Sequence, residues 1–157
     1  MKKVISVLCI GAILLLAQTP SQTVTINNNQ NQTNATQSVP ITPENIHIAL
    51  AQLAMATNST LPQRLDFVTI FDRATSKGNT LKYYYILNDD EDFVLSKFKK
   101  DRKDKFLNDI KANVKNSLCS AEMSQNLLNA GAIFSYNFEL KNGTKYSNFT
   151  MDKSVCK

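Results

Sequence analysis

Polar and apolar positions change rhythm several times along this chain. From Ile46 onward, Leu50, Leu53 and Ala54 recur at helical spacing, with Ile48 and Met55 widening the stripe. Thr42-Pro43-Glu44 before it reads as an N-cap, a first-turn proline and an acid favoured by the helix dipole. Asn58-Ser59-Thr60-Leu61-Pro62 ends the helix, because Pro62 lacks an N–H and restricts the residue before it. The period then falls to two. Leu65, Phe67, Thr69 and Phe71 alternate with Asp66, Val68, Ile70 and Asp72 in a run predicted as a strand from Leu65 to Ala74. After a turn at Thr75-Ser76-Lys77-Gly78-Asn79, the run Thr80 to Leu87 places Leu81, Tyr83, Tyr85 and Leu87 on one face, giving an antiparallel hairpin.

A long helix is predicted from about Asp92 to Leu118, with apolar positions Val94, Leu95, Phe98, Phe106, Leu107, Ile110, Val114 and Leu118. Acidic Asn88-Asp89-Asp90-Glu91-Asp92 leads into it as a capping segment. A short helix follows Cys119, capped by Ser120 and closed by Gly131 at the C′ position. A second hairpin then turns at Asn142-Gly143, a pair favoured in two-residue type I′ turns. The resulting class is α+β: a four-stranded antiparallel sheet of two hairpins with helices packed on one face, in the order α-β-β-α-α-β-β.

Composition adds a compartment. Met1-Lys2-Lys3 followed by the apolar run Val4 to Ala17 has the anatomy of a cleaved export signal over 1–17, too short for a comfortable membrane span. Cys9 does not sit in a lipobox, since Leu8 occupies the place of a small residue and the apolar run continues past it. Residues 18–41 are rich in Asn, Gln and Thr, with too little apolar surface to offset the entropy of ordering; they are expected to form a tether. A single domain fills 42–157. The sequons at Asn31, Asn34, Asn58, Asn142 and Asn148 are what an Asn-rich chain produces by chance.

Two cysteines remain after the leader, Cys119 and Cys156, and an even pair in an oxidising compartment points to a disulfide. With His47 as the single histidine, a four-ligand zinc site lacks donors. The net charge of +5 becomes +3 when Lys2 and Lys3 leave with the signal, too mild a balance to indicate nucleic acid. The charge is unevenly spread. Seven charged residues run unbroken from Lys99 to Lys105, and 97–115 holds eight basic and three acidic side chains. Such a stripe can meet an anionic membrane surface, but its interspersed aspartates, at i,i+3 and i,i+4 spacing, read first as a solvated face.

No nucleophile–base pair or nucleophile-elbow motif occurs, so the chain reads as non-enzymatic with no cofactor. The run Tyr83-Tyr84-Tyr85 reads as a strand with one buried and one exposed face, which leaves Tyr84 as an exposed aromatic. With the basic residues Lys99, Lys100, Arg102 and Lys103 it forms the set of expected partner contacts.

The pattern Leu118-Cys119, then a short helix ending Leu127-Leu128-x-x-Gly131, a hairpin carrying Tyr136, and Cys156 near the terminus resembles secretin pilotins of the AspS type. The resemblance is good over about 110–157 and covers the 65–87 hairpin in outline. It implies a disulfide-clipped domain of sheet and helices, a periplasmic or secreted location, and a protein partner such as an outer-membrane secretin or another envelope component. Those pilotins carry a lipobox and this leader does not. The function expected is therefore a pilotin-like protein-interaction module; the alternative is a secreted effector or inhibitor that binds a host or competitor protein.

Overall fold

The computed structural model describes residues 24–25, 38–88 and 95–157. The expected signal peptide over 1–17, most of the 18–41 tether and the acidic segment 89–92 lie outside the described residues. Two short strands come first, β1 (Val24–Thr25) and β2 (Ser38–Val39), paired antiparallel. Helix α1 (Ile46–Asn58) follows, then β3 (Gln63–Arg64), β4 (Thr69–Lys77) and β5 (Thr80–Leu87). After the 3-10 turn Leu95–Lys97 come α2 (Lys100–Ser120), α3 (Glu122–Asn129), β6 (Ile133–Leu140) and β7 (Lys145–Met151), and a last 3-10 turn at Lys153–Cys156.

The α+β class is as expected, but the sheet is not four-stranded and antiparallel. Five strands lie in the order β3-β4-β5-β6-β7, and β5 pairs β6 in parallel. The parallel join has a simple cause. The chain between β5 and β6 carries α2 and α3, and a crossover of more than a dozen residues returns the chain to the same end of the sheet. Asn79 fixes the meeting point: its carbonyl accepts from Ile133 N–H at 2.8 Å, and its side-chain amide donates to Gly131 O at 2.9 Å. The turn of the first hairpin thereby holds the start of β6.

The fifth strand, β3, precedes the run expected as a strand from Leu65 to Ala74, and the first residues of that run bend instead of pairing. Asp66 Oδ1 accepts from the N–H groups of Val68 and Thr69 at 2.7 and 2.6 Å, turning the chain sharply. The alternation is broken there: Phe67 is 58 % exposed while Val68 is buried. Gln63 and Arg64 then pair with Phe71 and Ile70. Other boundaries shift in the same local way. Helix α1 starts after a turn at Asn45 rather than at Thr42, and α2 starts at Lys100 rather than Asp92, because Lys99 is extended. Ser120 ends α2, so Ala121 occupies the N-cap of α3. Gly131 does close α3 as expected. With φ +93° it lets its N–H reach Leu128 O while Ala132 N–H reaches Leu127 O, the two bonds of a Schellman motif. The second hairpin has four residues between its strands rather than two, with Gly143 alone of them at positive φ and a bulge at Phe138/Glu139.

One core joins the layers. The face of β5 carrying Leu81, Tyr83, Tyr85 and Leu87 aligns with Phe134, Tyr136, Phe138 and Leu140 of β6, and all eight are buried. Ile46, Leu50 and Ala54 of α1, with Ile110, Val114 and Leu118 of α2 and Leu127 and Leu128 of α3, complete the same cluster. Helix α1 packs on β4 and β5. Ile70, Ile86 and Ile133 alternate to the opposite face and stay outside this core.

Candidate functional site

Register builds two aromatic rows on the helix-covered face. Phe71, Tyr85 and Phe138 lie side by side across β4, β5 and β6, with ring centroids 4.8 and 4.9 Å apart and stacked. Tyr83, Tyr136 and Phe149 form the next row across β5, β6 and β7, at 5.5 and 5.1 Å. Such pairs contribute about 0.5–1.5 kcal/mol each beyond their buried area. Burial holds the phenols of Tyr83, Tyr85 and Tyr136 above their ordinary range, and for Tyr85 and Tyr136 neighbouring phenols add to the effect. These rings therefore serve as neutral packing surfaces. Tyr85 carries one cost: its hydroxyl is buried with no hydrogen-bond partner among the described residues.

The opposite face mixes the half-buried Ile70, Ile86 and Ile133 with polar side chains. Arg73, Tyr84, Asn137 and Asn148 occupy one row across it, and the Arg73 guanidinium lies 4.1 Å from the Tyr84 ring centroid. Tyr84, expected as an exposed aromatic, points to this face but is half-buried, with the Arg73 guanidinium over its ring.

The basic stretch of α2 sits on the other side of the sheet, so Tyr84 and the lysines do not form one site. Lys99 is exposed at the N-cap of α2. Lys100 is paired with Asp104, which raises the lysine pKa, and Lys105 with Asp109 at 3.1 Å. Arg102 stacks on Phe98 at 4.2 Å. Lys103 places its ammonium 4.6 Å from the Tyr146 ring centroid, and Lys111 lies 5.6 Å from that of Phe149. The expected solvated face is thus also a seam where α2 cations cover the rings of β7. Lys111 and Phe149 were not among the contacts anticipated from sequence, since the pairing needs strand β7 to lie beneath the helix. A cation spaced eight residues beyond Lys103 on the same helix was the available signal.

Cys119 and Cys156 are joined, with Cα atoms 5.4 Å apart, at the end of α2. The C-terminal turn is held a second way: Asp152 Oδ1 accepts from Ser154 N–H and Oγ, which lowers the Asp152 pKa. His47 is exposed in the first turn of α1. Among the described residues no three His, Cys, Asp or Glu side chains gather as metal ligands, and no helix is long and apolar enough to cross a membrane.

No family model matches the chain. No curated protein matches it either. Solved structures do. A protein of Pseudomonas aeruginosa described as secreted superposes with a TM-score of 0.59 at 16 % identity, over 76 % of this chain and 100 % of that one. The type 2 secretion pilotin EpsS of Vibrio vulnificus gives 0.59 at 14 % identity, over 73 % and 94 % of the two chains. The type II secretion pilotin AspS of Vibrio cholerae gives 0.54 at 17 % identity, over the same shares. The chain has the fold of these proteins, and the resemblance to pilotins read from its C-terminal third extends through most of its length.

Proposed function

We propose that this chain is a non-enzymatic, exported protein-interaction module of a secretion or envelope assembly, with a secretin or another envelope component as its partner. The observation that carries the reading is the fold shared with two secretion pilotins across about three quarters of the chain. Two features of the molecule agree with it. The helix-covered face spends its aromatic residues on packing, and its buried phenols are held neutral, so they supply no base. What remains for contact is surface: the face carrying Tyr84 and the exposed Arg73, and the basic side of α2 with Lys99, Lys100, Arg102 and Lys103. Partner segments bind such domains either as a helix in a groove or as an added strand.

The test is affinity purification of the tagged protein from its native envelope fraction after mild crosslinking. Recovery of a secretin or an assembly component supports the proposal. Accumulation of the protein in the medium, with no envelope partner recovered, overturns it in favour of an effector or inhibitor.

A further inference from the structure

The two edges of the sheet differ in what meets their backbone. On β4, the outer side is taken by β3 at Ile70 and Phe71, and then by one side chain. Asn58 Oδ1 accepts from Ala74 N–H and its Nδ2 donates to Ala74 O, both at 2.8 Å, so the amide stands in for a residue of a neighbouring strand. On β7, pairing is with β6 alone. Among the described residues no third strand and no loop backbone hydrogen bond meets the outer side of 147–151.

The open edge is also a charged one. Lys103 and Lys111 stand over the Tyr146 and Phe149 rings, and Lys145 opens the strand. Two nearby acids of α2 are already engaged: Asp104 by Lys100 and Asp109 by Lys105. Lys103 and Lys111 remain without a carboxylate among the described ion pairs, on the helix side of the edge.

We propose that β7 is the docking edge of this protein, and that it takes an extended acidic segment of a partner by strand addition, carboxylates alternating toward Lys103 and Lys111. This rests on the reading of the chain as an interaction module and names its partner's chemistry. Strand addition supplies backbone hydrogen bonds for affinity and alternate side chains for specificity. An added strand lies about 4.8 Å from β7, which brings every second side chain beside the two ammonium groups. Self-pairing of two copies through β7 is disfavoured by the same charges, because it sets lysine against lysine across the new ladder.

The probe is a capped peptide of about eight residues, an ordinary strand length, alternating Glu and Thr and titrated into the full mature chain by amide NMR. Binding with shifts confined to 147–151 and the Lys103–Lys111 side of α2 is the expected result. Two further peptides, N-methylated at alternate backbone positions in opposite phases, separate the mechanisms without altering the protein. Strand addition loses binding with one phase and keeps it with the other, whereas equal binding by both overturns the inference in favour of surface charge alone. A Lys103→Glu/Lys111→Glu variant is expected to weaken the acidic peptide about tenfold; unchanged affinity overturns the charge assignment. Dimerisation of the free chain through 147–151 also overturns it, with a second copy as occupant. A silent edge alongside recovery of a secretin by crosslinking removes this inference and leaves the proposed function standing; a titrating edge with no envelope partner does the reverse.

Discussion

At the β4 edge, two residues of β3 and the amide of Asn58 consume outward backbone groups; at the β7 edge Lys145, with Lys103 and Lys111 of α2 beside it, gives a basic border and no described partner pairs the outer side of 147–151. Both are recognised ways of keeping a sheet from growing, but they act on different things. A hydrogen-bonded cap removes the donors and acceptors themselves. Charge leaves them in place and rejects only neighbours of the same sign. The β4 edge is therefore closed at Ile70, Phe71 and Ala74 to a strand of any charge, and the β7 edge is selective.

The largest test of this contrast is at the β7 side. Replacing Cys119 and Cys156 by Ser is expected to cost about 3–4 kcal/mol on the chain-entropy account of a loop of this length, measured by urea denaturation. Native-state amide exchange should then show β7 opening before β4. Asn58→Ala comes next. It strands the N–H and carbonyl of Ala74 and is expected to cost about 1–3 kcal/mol; sedimentation should reveal new self-association through β4. A variant that stays monomeric would show that β3 alone closes that edge. Tyr85→Phe, between the edges, removes a buried hydroxyl without a partner and is expected to leave stability unchanged or raise it by up to about 1 kcal/mol, read from the same denaturation curves. The smallest effect is with acid. Asp152 has a lowered folded pKa, so its support of the C-terminal turn is full above the ordinary aspartate value and is lost as pH falls through the folded one. Ser154 amide exchange should quicken over that window while β4 amides stay unchanged.

The strand 80–87 was legible because a half-buried strand writes its face as alternation. The alternation of 133–140 is imperfect, and that strand was legible from the turn pair Asn142-Gly143 after it. Gly131 was legible because a left-handed residue closes a helix that way. The parallel join was not read, although the helix-bearing connection from Leu87 to Ile133 carried the signal for it. Strand β3 escaped because two exposed residues have no periodicity. The start of α2 was misplaced because the acidic and basic run has helical propensity throughout, and propensity alone does not mark where Lys99 turns extended. At the site, Tyr84 was placed on an exposed face by alternation. The Asn58 cap joins residues 16 apart with no sequence signal, and the Lys111–Phe149 contact had only the helical spacing of Lys111 from Lys103 to mark it.

The bond between Cys119 and Cys156 encloses α3, β6 and β7 in a covalent ring. A pull on Lys157 therefore travels through sulfur into the end of α2 and bypasses the β6–β7 ladder. Unzipping from the last residue of β7 is blocked, and a tug at this end of the chain must shear a helix from the core instead of peeling a strand from the sheet.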